Sequence, residues 1–208
     1  MTAIVALESV GLDDEVVIST TAANQPPSSC PLEAGDTLTI RQLLYCLILH
    51  SGNDAAWAIA EYVGGNIPNF VKLMNNKAQS IGMDQTNFTN PSGLDDPASN
   101  TSTAYAVALM MRYAMTNEDF RTIAGTKNYR TISLAYQITY NWNHKHRLVV
   151  NEPEVIAGKT GFTRKAGRTL VSVARRGNQE LIAVTLNDPN DWQDHMNLFE
   201  YGFKLLGL

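Results

Sequence analysis

The chain has 208 residues, enough to bury a full hydrophobic core, and its 44% hydrophobic and 17% charged residues are ordinary for a globular domain. Sixteen Lys and Arg against twenty Asp and Glu give a net charge of −4. The cations are scattered, which excludes a continuous basic surface for nucleic acid or an anionic membrane.

The longest strongly apolar run, Leu43 to Leu49, is far too short to cross a bilayer. The first residues show no basic segment followed by an apolar one, so neither a membrane span nor an export signal is expected in this chain. Asp36 to Leu49 reads as a helix, with Thr39 and Gln42 at capping-box spacing and Ile40, Leu43, Leu44, Leu47 and Ile48 at helical period. It stops at Ser51-Gly52-Asn53. Asn53 or Asp54 then caps a second helix that ends at Gly64-Gly65. A third helix runs from about Pro68, with Phe70, Met74, Ala78 and Ile81 on one face and Gly82 as its stop.

Thr86 to Asn100, rich in Asn, Pro, Gly, Asp and Ser, reads as loop, and Ser102 to Met115 as a buried helix. From Tyr129 the pattern changes. β-Branched and aromatic residues alternate through Tyr140, Val155 to Thr163 reads as a strand, and Leu170 to Ala174 and Leu181 to Leu186 form a hairpin across Gly177-Asn178. A last helix begins near Asp188 to Asn190 and covers the sheet with Trp192, Met196, Phe199, Tyr201 and Phe203. The expectation is one α+β domain over residues 1–208, a helical lobe packed on an antiparallel sheet, with no internal boundary.

Cys30 and Cys46 are too few for a disulfide framework or a Cys-x-x-Cys metal site; two reduced or inert cysteines are expected, with a single bridge as the alternative. His144 and His146, two apart, share one face of a strand without a nearby third ligand, and read as a solvated or substrate-rim pair rather than a zinc site. His195 is expected to cover the sheet, and His50 has no evident partner. No metal or cofactor is implied.

Lys159-Thr160-Gly161 sets a cation, a hydroxyl and an uncrowded backbone in succession along a strand edge, suited to an extended peptide ending in a carboxylate. Ser51-x-Asn53, in a turn between helices, offers a hydroxyl that passes a proton and an amide that holds a carbonyl. Each alone is weak, since Ser and Asn favour turns and Lys protects strand edges. Together, in this order, they match two signatures of the penicillin-binding and serine β-lactamase group.

The wider wording narrows the likeness. His50-Ser51-Gly52-Asn53-Asp54-Ala55-Ala56, Phe88-Thr89-Asn90-Pro91-Ser92-Gly93-Leu94, Ser102-Thr103-Ala104-Tyr105 and Gly158-Lys159-Thr160-Gly161-Phe162-Thr163 followed by Lys165-Ala166-Gly167 resemble serine D-alanyl-D-alanine carboxypeptidases, the low-molecular-weight penicillin-binding proteins. Ala106 and Asn100 depart from the family wording, where Asp and His are frequent. The resemblance implies a β-lactamase/transpeptidase-like fold. It also implies that Met1-Thr2-Ala3-Ile4-Val5-Ala6-Leu7-Glu8 continues the helix of the family's Ser-x-x-Lys nucleophile motif.

No Ser-x-x-Lys occurs in the sequence, so the nucleophile, its base and the family's N-terminal strand are expected upstream, and the chain as given is expected to be inactive. By the same resemblance, Ser51, Asn53 and Lys159 are catalytic, and Lys159, Thr160, Gly161, Phe162 and Thr163 form the substrate-binding edge. The implied partners are peptidoglycan stem peptides ending in D-Ala-D-Ala and, for the complete site, β-lactams. The implied location is the outer face of the cytoplasmic membrane. Two rivals are a non-catalytic wall-peptide-binding module, which the missing nucleophile favours, and a serine β-lactamase, which the Ser-Gly-Asn wording disfavours.

Overall fold

The computed structural model describes residues 1–96 and 98–208. Its helical lobe is organised around two buried helices, α1 (Thr2–Ser9) and α4 (Asn53–Gly64). Alanines at positions 55, 56, 58 and 60 let neighbouring backbones approach α4 closely. Packed around these are α2 (Thr20–Ala23), α3 (Ile40–Tyr45) and α5 (Ile67–Ser80). Two more helices, α6 (Ala104–Ala114) and α7 (Glu118–Gly125), complete the lobe. Gly82, at φ +81°, follows α5 as expected.

Asp36–Thr39 is not helical, contrary to the sequence reading. Thr37–Thr39 is strand β2, paired antiparallel with β1 (Glu15–Val17) so that Val16 and Leu38 sit opposite each other in the core. The Thr39–Gln42 capping box is present and starts α3 one residue later. The predicted caps of the next helix are also displaced: Gly52 holds the cap position, and Asn53 and Asp54 are the first helical residues.

The region read as one alternating strand from Tyr129 to Tyr140 is a hairpin of β3 (Asn128–Ile132) and β4 (Thr139–Asn143). Its turn lacks Gly and Pro. Gln137 adopts φ +56° instead, its side chain donating to the Ser133 and Leu134 carbonyls. The short helix α8 (Arg147–Asn151) follows. The main sheet is antiparallel, in order β5 (Val155–Thr163), β6 (Gly167–Arg176), β7 (Gln179–Leu186), with the β6–β7 turn at Gly177-Asn178. Helix α9 (Asp191–Leu205) covers it through Phe199 and Phe203, while Tyr201, expected on that face, is 66% exposed. Among the described residues no helix is long and apolar enough to cross a membrane.

Among the described residues this α+β arrangement leaves β5 paired only on its β6 side. Its other edge opens on a cleft of about 1120 Å³ bounded by the helical lobe.

Candidate active site

The π-helical turn Cys46–His50 extends α3 and delivers the chain into Ser51, which sits in the left-handed region at φ +61°. A serine in that conformation is costly and is held only where surroundings over-determine it. Here the Gly52 N–H bonds back to the Cys46 carbonyl at 3.4 Å, and the Asn53 N–H bonds to the Ser28 carbonyl at 2.8 Å. The wide turn thereby aims the Ser51 hydroxyl across the cleft at β5.

There the Lys159 ammonium donates to Ser51 Oγ and, at 2.8 Å, to the Thr160 carbonyl. Burial, with the charge of Lys145 as a smaller contribution, lowers the Lys159 pKa to about 8. A lysine at that value holds a proton at neutral pH yet can exchange it readily. Ser51, Asn53, Lys159, Thr160, Gly161, Phe162 and Thr163 all line this one cleft.

Their surroundings refine the roles read from sequence. Asn53 Nδ2 donates to the Pro26 carbonyl at 2.8 Å, so its Oδ1 is the end left for a ligand N–H. The space a Gly161 side chain would fill is already taken by Thr169, whose Oγ1 lies 2.4 Å from where a Cβ would stand. Glycine is needed there for packing against β6. Phe162 is 71% exposed at the cleft mouth. Thr163 Oγ1 accepts from the Ala166 N–H at 2.9 Å and so shapes the β5–β6 turn.

Three cleft residues were missed in the sequence, Ser28, Lys145 and Arg147. The Lys145 ammonium donates to Ser28 Oγ, which in turn donates to the His50 carbonyl at 3.1 Å. Ser28 lies in a stretch without periodicity. Lys145 was legible in principle: Tyr140, Trp142, His144 and His146 are buried in alternation, which places Lys145 and Arg147 outward.

The reading of His144 and His146 as a rim pair is therefore corrected. Both are buried and each ring nitrogen is engaged. His144 Nδ1 accepts from the His146 N–H, so Nε2 carries the proton to the Ala124 carbonyl. His146 Nδ1 accepts from the Val149 N–H and caps α8, so Nε2–H donates to Ser172 Oγ at 2.8 Å. The Ser172 hydroxyl then donates to His195 Nδ1 at 2.8 Å, and His195 Nε2 reaches Thr185. Burial holds all three imidazoles neutral, with pKa values of about 4, 3 and 4 for His144, His146 and His195.

The expectation of inert cysteines is also corrected, since Cys30 and Cys46 form a disulfide with Cα atoms 6.1 Å apart. The buried Asp54 carboxylate accepts from the N–H groups of Cys30, Leu32 and Ala55, which draws the loop carrying Cys30 against the π-helical turn carrying Cys46. Among the described residues Cys30, Cys46 and Asp54 are the one close group of three metal-ligand types, and the disulfide engages both sulfurs. Asn100, one of the two departures from the family wording, holds the Thr89–Asn90 loop by accepting from the N–H of Thr89 and of Asn90.

Residues 1–190 match the profile of the family described as D-alanyl-D-alanine carboxypeptidase, Peptidase S11. A D-alanyl-D-alanine carboxypeptidase of Mycobacterium tuberculosis is 33% identical over 98% of this chain and 71% of its own length. One from Bacillus subtilis is 34% identical over 84% of this chain, which spans only 44% of that protein. Among solved structures, a D-alanyl-D-alanine carboxypeptidase from M. tuberculosis superposes with a TM-score of 0.91 at 32% identity, covering 98% of this chain and 78% of that one. The Streptomyces K15 DD-transpeptidase gives 0.90 at 30%, covering 98% and 84%. With the two signatures facing each other across one cleft, the chain belongs to the D-alanyl-D-alanine carboxypeptidase family.

Proposed function

We propose that this cleft binds peptidoglycan stem peptides ending in D-alanyl-D-alanine and serves the serine acyl transfer that removes the last D-alanine. The observation that carries this reading is the Lys159–Ser51 hydrogen bond, which joins the two lobes beside the open edge of β5. In this reading the Lys159 ammonium and the Thr160 hydroxyl hold the terminal carboxylate, and Asn53 Oδ1 accepts from a substrate amide. The serine of a Ser-x-x-Lys motif attacks the carbonyl between the two D-alanines, its proton passing to the lysine of that motif. The C–N bond breaks as Ser51, resupplied by Lys159, protonates the departing amine. The Phe162 N–H and the nucleophile's own N–H stabilise the oxyanion, and water then hydrolyses the ester.

Ser-x-x-Lys does not occur in these 208 residues, so in this reading they bind substrate and move the proton without forming an acyl-enzyme by themselves. A non-catalytic wall-peptide-binding module is the second reading, favoured by the same missing motif. In either case the protein acts outside the cytoplasmic membrane, where its substrate lies.

Intact-protein mass after incubation with excess penicillin tests the reading, on this chain and on a version extended at Met1 by a Ser-x-x-Lys turn. An adduct on the extended form alone supports acyl transfer. No adduct on either folded form favours the binding module, and an adduct on this chain contradicts the missing nucleophile.

A further inference from the structure

The cleft is far more basic than the protein around it. Five cations line it, Lys145, Arg147, Lys159, Lys165 and Arg168, against two carboxylates, Asp95 and Asp191. Both carboxylates are engaged. Asp191 takes a two-pronged bond from Arg168 at 2.6 and 3.1 Å, and Asp95 accepts from Ser99 at 3.0 Å close to Thr163 and Lys165. Among the described residues no carboxylate pairs with Lys145, Arg147, Lys159 or Lys165; Lys165 donates instead to Ser99 Oγ at 3.1 Å, next to Asp95, which leaves Lys145, Arg147 and Lys159 as the cleft cations with neither kind of link to a carboxylate. The cleft thus has an excess of three positive charges in a chain whose net charge is −4.

Cations held in a concave site focus the field on an incoming ligand. These three are positioned rather than trailing in solvent. The inward phase of His144 and His146 sets Lys145 and Arg147 on the cleft side, and the Lys145 N–H bonds to the Leu49 carbonyl at 3.0 Å. The Arg147 guanidinium lies over the Trp192 ring at 5.9 Å, and Arg168, already bound to Asp191, lies 5.5 Å from the same ring. Such a stacked guanidinium keeps its hydrogen-bonding edge for a planar anion.

A peptide with one terminal carboxylate satisfies Lys159 and leaves the other two cations without a counter-charge. We propose that the cleft selects peptides carrying a second carboxylate beside the terminal one, read by Arg147 on its Trp192 shelf with Lys145 alongside. This rests on the reading that Lys159 and Thr160 hold the terminal carboxylate. The second group sits either on the departing residue or on the residue preceding the two terminal ones, which the test separates.

Calorimetric titration of the folded chain would compare three blocked tripeptides at low salt. One ends in D-Ala-D-Ala with a neutral third residue, the second has an acidic side chain at that third residue, and the last ends in D-Ala-D-Glu. One dicarboxylate binds about tenfold more tightly than the monocarboxylate, a gap that narrows at high salt and closes in Arg147→Gln. The identity of the tighter dicarboxylate places the subsite. Equal affinities for all three overturn the selectivity while leaving the function reading intact. A gap that survives in Arg147→Gln overturns the assignment to Arg147. No binding of any of the three by the folded chain overturns the function reading and the selectivity with it.

Discussion

Lys159 on β5 and Ser51 on the opposite lobe are 108 residues apart in sequence and share a hydrogen bond across the cleft. This pairing brings a cation into partly buried surroundings beside a second cation, Lys145, and the site bears an electrostatic cost for it.

The cost predicts a trade between stability and binding. Lys159 titrates near 10.5 when unfolded and at about 8 when folded, so between those values the unfolded chain holds a proton that the folded chain has released. Stability should rise as pH increases from 8 to 10.5, with the full cost present below 8. Lys159→Met should accordingly stabilise the fold by on the order of 1–3 kcal/mol at pH 7, read as a higher urea midpoint, while abolishing binding of D-Ala-D-Ala peptides.

Peptide affinity should follow the same group with the opposite sense. The ammonium form attracts the carboxylate, so affinity measured by titration calorimetry should fall as pH rises through about 8. An affinity that is flat from pH 7 to 9.5 would remove Lys159 from the carboxylate site.

The buried histidines, His144 and the chain His146–Ser172–His195, predict acid lability. All three buried imidazoles have folded pKa values depressed from 6.5, so their contribution is fully present above 6.5 and is lost as pH falls toward 4 and 3. Each imidazole costs up to about 1.4 kcal/mol per pH unit below 6.5. Circular dichroism should therefore show cooperative acid unfolding that begins above about pH 4. His146→Gln, which removes the most depressed of the three, should shift that transition to lower pH relative to its own stability at pH 7.

Gly52 lies against the disulfide, where a Cβ would stand 2.3 Å from Cys46 Sγ and 2.8 Å from Cys30 Sγ. The bridge closes a loop with a sequence separation of 16 and anchors the segment just before Cys30, which carries Ser28 and Pro26, the partners of Lys145 and Asn53. Cys30→Ser with Cys46→Ser should cost about 3 kcal/mol in urea unfolding. Hydrogen exchange should increase around residues 26–32 as that wall loosens. Gly52→Ala should be destabilising and should weaken peptide binding, because Ser51 and Asn53 flank it.

Strand β5 was legible end to end, since Val155 to Thr163 carries both strand composition and the Lys-Thr-Gly signature. The capping box at Thr39 and the turn at Gly177-Asn178 were legible for the same reason, that local chemistry decides them. The errors fell where tertiary pairing overrides local preference. Thr37–Thr39 looks like a helix entry until β1 is there to pair with it, and Gln137 makes a turn without a turn residue. The phase of residues 140–148 was knowable from Tyr140 and Trp142, yet reading His144 and His146 as a surface pair hid Lys145 and Arg147. The disulfide could not be read, because the contacts that bring its two cysteines together are tertiary, among them those of Asp54 with the Cys30 and Leu32 N–H groups and of Asn53 N–H with the Ser28 carbonyl.

The central claim is that Lys159, Thr160, Ser51 and Asn53 form a binding site for D-alanyl-D-alanine ends. Its most direct test is equilibrium binding of a blocked peptide ending in D-Ala-D-Ala and of its L-Ala-L-Ala counterpart to this chain and to Lys159→Ala. The account predicts saturable binding of the D,D peptide alone, lost in the variant. Equal binding of both stereoisomers, or D,D binding unchanged in Lys159→Ala, would contradict it.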